Sequence, residues 1–534
     1  MLSLFQVLGG LALFVLGVQL LSSGMEKLAG NKIQEWLDRM TNTPLKGAFF
    51  GAGATALLHS SKMLMITVQG LVNANLLTLE QAVGIILGQE IGTTITAQIV
   101  AFDIADFSLL FIAIGIALKE VFSRRSWSDY GEIVLGFGIL FLGMDLMTGA
   151  LETLAQSPLV EDGLAVLAQY PLIGVLAGII FTVIVQSSTA ITGLAVAMGM
   201  SGTITLPCAI AVILGANIGT CIGGQQIVAM NLARPAWRVS VAQIFMNVVG
   251  ALVFLPFITP FANLVALTSP YLPRQIANAH TLFNVLVSVL MFPFVKYIVR
   301  LTEWLVPKSP EEEKPKLAAF IDELQYAIPA VALTEAHKEL VRLGEATAEM
   351  LDRSCAALVE GDTSAIAWVI AREDEFVDPL THAIERFVNT LMREELSDEQ
   401  QRRCFQLKNL LVDIERVGDL AEDISEAAQS RLAGGISFSS QAMEELERLC
   451  RYVHAIYTEA LHALQTGDRA LAARACQMED DFDDIYDMAR AKHIERLDAR
   501  ICEPGADVIF TETLRNLERV GDHADNIGVS VMRN

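Results

Sequence analysis

The sequence predicts an all-α protein in two parts: a polytopic membrane half built from two inverted copies of one unit, then a soluble helical half that is also duplicated. Three observations carry this. Up to Lys308 there are 15 acids against 14 bases, and beyond it 46 against 24, so nearly all of the net charge of -23 belongs to the second half. Apolar runs of about 20 residues, the length of a bilayer crossing, recur only before that point. Each half also repeats itself at a fixed offset.

Seven crossings are expected, near 3–22, 80–100, 107–123, 131–151, 205–230, 237–258 and 276–300. The first run lacks a small-residue cleavage site and reads as a retained anchor. Two further apolar stretches, 47–73 and 172–200, are interrupted by "HSSK" and "QSST". Adding 127 carries Thr55 to Thr182, Ser60 and Ser61 to Ser187 and Ser188, and "ILGQEIGT" (Ile86–Thr93) onto "ILGANIGT" (Ile213–Thr220), without a gap. "LGVQLLSSGMEKLA" (Leu16–Ala29) resembles "LGMDLMTGALETLA" (Leu142–Ala155) at an offset of 126. The membrane domain is thus 1–305, with repeat one about 1–126, repeat two about 131–258 and a last helix at 276–300. An odd number of crossings per copy turns the second upside down, the inverted-repeat plan of many secondary transporters. Lysines and arginines gather on one side, Arg274 excepted, which makes that side cytoplasmic. The N-terminus is then outside the cell (inner) membrane and the acidic half inside. Seven cysteines without a CxxC suggest buried thiols in a reducing compartment.

A helix starting at Lys46 reaches His59 after ~20 Å, the middle of the bilayer core. The two broken stretches therefore read as re-entrant helical hairpins whose tips meet at the midplane, where freed backbone groups face protein or a polar cavity. Inward helix N-termini favour an anion, and Ser, Thr and Asn oxygens suit a hard cation such as sodium. Serines in membrane helices also simply pack or bond a preceding carbonyl. Their recurrence in both copies argues for binding.

At these residues the chain resembles the type II sodium-phosphate cotransporter family, in "TVIVQSSTA", "GANIGT", "QIFMN" (Gln243–Asn247) and "AHTLFN" (Ala279–Asn284). The resemblance covers residues 1 to about 305. It implies that Gln186, Ser187, Ser188, Thr189, Asn217 and Thr220 bind phosphate and sodium in one half of a site, and Ser60, Ser61 and Thr93 in the other. The first copy departs from the pattern at His59, Lys62 and Glu90. A lysine at the bilayer centre is costly and usually paired, and Glu90 is the expected partner, with Asp145 as an alternative. On this reading Lys62 replaces one sodium or touches phosphate, with Glu90 balancing its charge, and sodium coupling is either reduced in stoichiometry or partly replaced by a proton acting through Glu90 or His59. The plainer reading is a bracing ion pair.

Between the halves, 306–330 reads as a linker, exposed over "VPKSPEEEKPKLA" (Val306–Ala318). From 331 to 534 apolar residues recur at helical spacing, giving helices near 332–360, 363–394, 398–431, 438–466, 468–500 and 506–532. "DIERVGDLAEDI" (Asp413–Ile424) repeats as "NLERVGDHADNI" (Asn516–Ile527), and "REDEFVD" (Arg372–Asp378) as "MEDDFDD" (Met478–Asp484), so there are two three-helix units. Each carries carboxylates spaced i,i+4 on one helix face: Asp374 with Asp378 and Glu415 with Asp419, then Asp480 with Asp484 and Glu518 with Asp522. They form either a solvated acidic face or a metal site. The pattern resembles the PhoU family of phosphate-regulatory proteins, which implies that these residues hold a divalent or iron-type metal in a cytoplasmic domain.

The expected function is a secondary transporter of inorganic phosphate, sodium-coupled, with a PhoU-like regulatory domain. The alternative is a membrane-bound phosphate sensor with a degenerate transport site. Partners expected besides phosphate, sodium and the lipid bilayer are cytoplasmic signalling proteins or a second copy of the chain, and not nucleic acid. No P-loop, GxSxG or HExxH is present, so an enzyme is not expected.

Overall fold

The structure, a computed structural model, describes residues 2–40, 42–74, 76–102, 104–121, 125–155, 157, 170–222, 234–308, 317–394, 396–502 and 504–533. The loop at 158–169, the end of the 205–230 crossing and the linker residues 309–316 lie outside the described residues. All regular structure among the described residues is helical. The chain divides into two compact units, Met1–Lys314 with Asp322–Val331, and Pro315–Ile321 with Ala332–Asn534.

Glycine spacing sets the packing of the first unit. Helix α1 (Leu2–Met40) places Gly10, Gly17 and Gly24 against Gly143, Gly136 and Ile133 of α6 (Arg125–Ala155), so these two helices run antiparallel. In α4 (Leu79–Val100), Gly84, Gly88 and Gly92 lie against Pro44, Ala48 and Ala52 of α2 (Pro44–Leu58), in a common direction. A Cβ at Gly88 would overlap the Ala48 carbonyl; only the missing side chain lets the backbones come this close. Because α2 and α4 are parallel, α3 (Ser61–Asn73) must run back between them. The second copy repeats this register. Gly215 and Gly219 of α9 (Leu206–Thr220) meet Val175 and Ile179 of α7 (Pro171–Val185), and α8 (Ser188–Met200) returns. Helix α5 (Ser108–Ile116) packs on α6.

Helix α10 (Arg234–Phe254) passes through a 3₁₀ turn at Pro256 into α11 (Ile258–Ala266), and α12 (Leu272–Met291) through another at Pro293 into α13 (Val295–Leu305). Proline removes a backbone donor and tightens the helix at both places. Five helical spans among the described residues are long and apolar enough to cross a membrane: Leu2–Leu28, Leu79–Val100, Trp127–Leu154, Arg234–Ala266 and Leu272–Leu305. Among the described residues, two of the seven expected crossings fall short of that length. The 107–123 span is α5 and a π turn over Ala117–Val121, and in 205–230 α9 ends at Thr220.

The segment expected to be a linker is not uniform. From Asp322 it packs on α3: Gly70 faces Leu324 and Gln325, and Asn73 Nδ2 donates to Asp322 Oδ2 at 2.5 Å. Ile328 and Val331 join the apolar core of this unit. Their spacing with Leu324 forms an apolar stripe, which the charge-rich residues before it obscure.

In the second unit α14 (Pro329–Glu360), of which Ala332 onward belongs here, is followed by α15 (Thr363–Arg372), a π turn at Glu373–Val377, α16 (Asp378–Leu391) and α17 (Asp398–Ala433). Pro379 cannot donate to the carbonyl four residues back, and the helix widens just before it. The second set is α18 (Ser440–Thr466), α19 (Arg469–Asp498) and α20 (Pro504–Met532). Asp413 Oδ1 accepts from His523 Nδ1 (2.9 Å) and Asn526 Nδ2 (3.1 Å), tying α17 to α20.

Candidate functional site

Among the described residues of the first unit, two that are not glycine adopt positive φ, His59 at 52° and Gln186 at 60°, and they occupy the same place in the two copies. Each ends its helix by donating its N–H back to a threonine carbonyl, Thr55 at 2.9 Å and Thr182 at 2.7 Å. Left-handed backbone at a non-glycine residue costs of order 1 kcal/mol and persists where the surroundings enforce it. The next residue restarts a helix. Ser60 Oγ accepts from Met63 N at 3.3 Å and Ser187 Oγ from Ala190 N at 3.2 Å, so both predicted serines are N-caps. Ser61 and Ser188 begin α3 and α8, with Thr189 next to it. Thr93 and Thr220 donate to the carbonyls of Gln89 (2.9 Å) and Ala216 (3.0 Å). Both second arms, α3 and α8, rest on α4.

Buried polar atoms gather around these breaks. Thr55, Thr182 and Thr192 hydroxyls, both amide atoms of Gln89 and His280 Nδ1 have no hydrogen-bond partner among the described residues.

The expected charge pair is not formed. Glu90 Oε1 accepts from Gln243 Nε2 at 2.9 Å and Asn247 Nδ2 at 3.2 Å, both on α10. Lys62 is exposed at the start of α3 and makes no ion pair among the described residues, and Asp145 is exposed on α6. Two amide donors, and not an ammonium, satisfy Oε1 of Glu90. His59 Nδ1 lies 3.0 Å from Thr96 Oγ1. In the second copy Asn217, which corresponds to Glu90, donates from Nδ2 to Asn284 Oδ1 at 3.0 Å. Gln243, Asn247 and Asn284 had no assigned role in the sequence. Their signal is polar residues at i,i+4 on apolar helices, Gln243 with Asn247 and His280 with Asn284.

The second unit gathers acids around two glutamates that the sequence reading passed over. Glu373 is 3% exposed and neither of its oxygens has a partner among the described residues. Burial, then Asp378, Asp419, Glu422 and Glu415, pushes its carboxyl up to about 8. Glu479, its counterpart, is pushed up to about 7 by burial and then by Asp483, Asp525, Asp522 and Asp480. Burial, then Asp419, also raises Glu415, and burial, then Asp522, raises Glu518. Gly418 explains the glycine of "ERVGD": a Cβ there would sit 3.0 Å from Glu373 Oε2. Oxygen donors of this kind suit a hard cation. No three of His, Cys, Asp or Glu among the described residues are, however, gathered closely enough to hold a metal ion. Asp374, Asp378, Asp480, Asp484 and Asp522 are exposed, and Asp419 accepts from Arg416 at 2.8 Å.

A helical unit with several apolar spans and two matched helix breaks, followed by a duplicated three-helix unit with acidic faces, fits a multi-pass membrane protein with an appended helical domain. The chain belongs to the Na+/Pi-cotransporter family, whose model matches twice, at residues 13–149 and 143–260, and it carries a PhoU domain matched at 340–428 and 446–531. YjbB of Salmonella typhimurium and of Escherichia coli, named for inorganic phosphate export, are each 26% identical over 99% of this chain and 95% of their own length. The uncharacterised YqeW of Bacillus subtilis is 31% identical over 55% of this chain and 95% of its own. The solved PhoU of Pseudomonas aeruginosa covers 38% of this chain and 95% of its own at 22% identity, with a TM-score of 0.35.

Proposed function

We propose that the membrane unit moves inorganic phosphate across the bilayer, coupled to sodium, and that the PhoU-like domain adjusts this activity from the cytoplasm. The observation that carries the reading is the pair of matched helix breaks. Each puts a left-handed residue, a serine-capped helix N-terminus and an unpartnered threonine hydroxyl in one place. The N-termini of α3 and α8 would take the anion through backbone N–H groups. Ser61, Ser188, Thr189, Thr93, Asn217 and Thr220 would contribute oxygens for phosphate or sodium, with Gln186 at the second tip. Lys62, exposed at the first tip, would add a positive charge toward phosphate. The antiparallel course of α1 and α6, which correspond in the repeat, supports an inverted arrangement with two re-entrant hairpins. The basic loops support an outside N-terminus.

The names of the full-length relatives favour export of phosphate. A transporter with a regulatory domain fits the family better than an enzyme does. In the PhoU-like domain the acids around Glu373 and Glu479 have no part in the transport step. The test is flux of labelled phosphate in reconstituted vesicles under imposed sodium gradients in each direction. Net flux that follows the sodium gradient is the expected result. Phosphate binding without flux would instead favour the sensor reading, for which the altered first copy is the supporting feature.

A further inference from the structure

We infer that Glu90 is a proton-carrying coupling group, which binds and releases one proton per turnover in place of one sodium; the inference rests on the transport reading above. Glu90 stands where the second copy has the neutral Asn217, so one of two equivalent positions has gained an ionisable group. Asn217 is satisfied by Asn284. Glu90 is satisfied on one side only: Gln243 and Asn247 both donate to Oε1, and Oε2 takes no hydrogen bond among the described residues. Glu90 is half-buried on α4. Two donors converging on one oxygen, with the other oxygen open, is the arrangement that suits a carboxylic acid. Its carbonyl oxygen accepts and its second oxygen carries the proton.

No cation faces this carboxyl among the described residues. On the hairpin, His59 is engaged with Thr96 and Lys62 is exposed. On α10, Arg238 donates to the Val306 carbonyl at 2.8 Å, and on α12 Arg274 is bound to Gln98 and stacked on Phe102. His280 is buried on α12 and makes no hydrogen bond or ion pair with Glu90 among the described residues, and Lys296 and Arg300 on α13 are exposed. The titratable group that does reach Glu90 is the Cys221 thiol, which donates to the Asn217 carbonyl at 3.5 Å. An uncompensated carboxylate inside a membrane protein is costly, and two neutral amides offset only part of that cost. When the site opens to one side, water delivers a proton to Oε2; when it opens to the other, the O–H bond breaks and the proton leaves to water there. One positive charge is moved and nothing is oxidised.

The full-length protein in proteoliposomes tests this. With equal sodium on both sides, a pH gradient of one unit supports about tenfold phosphate accumulation per coupled proton. The wild type is expected to accumulate phosphate under this gradient, and Glu90→Gln, which keeps both amide bonds, to lose the accumulation while retaining phosphate–phosphate exchange. Because phosphate itself titrates near neutral pH, the readout is the difference between the two proteins, together with proton movement followed by a trapped pH-sensitive dye. If Glu90→Gln does not fold as judged by gel filtration, Glu90→Asn, which copies Asn217, replaces it. Equal pH-driven accumulation by wild type and variant overturns the inference, as does wild-type accumulation that follows sodium alone. Exchange by neither protein would overturn the transport reading instead.

Discussion

Thr182 and Thr55 bury hydroxyls that find no partner among the described residues, and this separates a structural from a functional role. Removing an unsatisfied hydroxyl from a core is neutral or mildly stabilising. Thr182→Val should therefore leave the unfolding temperature in detergent unchanged or slightly higher, while weakening phosphate or sodium half-saturation in vesicle flux by roughly tenfold, the scale of one lost hydrogen bond to a charged group. Unchanged half-saturation would return Thr182 to the core. Glu373 provides the pH test. Its folded-state carboxyl titrates at about 8 against 4.5 for an ordinary glutamate. As pH rises between those values the unfolded chain gives up a proton that the folded chain keeps, so stability falls with pH and the whole penalty is present above 8. Glu373→Gln should slow hydrogen exchange in α15 to α17 at pH 8.5 in chelator and change little at pH 4.5. An equal effect at both values would contradict the assignment.

Helix pairs in the membrane unit are held by close backbone approach rather than by large side chains. Leucine at Gly88 would drive into the Ala48 carbonyl, and at Gly215 into that of Val175. Overpacking of a tight contact costs 1–3 kcal/mol or more. Gly88→Leu and Gly215→Leu should each reduce the yield of monodisperse protein, while leucine at Gly9, where a Cβ meets open space, should be tolerated. The Asp322–Val331 segment makes a different element-level prediction. Gly70→Leu would collide with Leu324 and Gln325, so protease cleavage within 317–331 should become several-fold faster while the α4 contacts stay protected from exchange.

Across the whole chain, both duplications and the helical half were legible in the residues, because repeats and 3.6-residue periodicity are properties of order along the chain. The six expected helices of the acidic half match the described elements to within a few residues, α15 and α16 together forming the second of them. The basic loops likewise predict topology: a tag before Leu2 should be reached by an impermeant reagent from outside intact cells, and a tag after Arg533 only after lysis. The site was less legible. Ser60 and Ser187 stand out in the sequence because they repeat, and His59 because it departs from Gln186 at the same place. The partner of Glu90 was not, because Gln243 and Asn247 lie over 150 residues away. Lys62 and Glu90 looked like a pair because opposite charges in an apolar stretch attract, yet only the packing of α10 on α4 decides which group arrives first. Glu373 was hidden among the acids of "REDEFVD" for the same reason, since its burial follows from the glycine of "ERVGD" on another helix. Local pattern, composition and repetition thus set the elements and the two-part plan. Which polar groups share a buried contact was set by tertiary packing, because burial and hydrogen-bond partners belong to pairs of elements and not to either one.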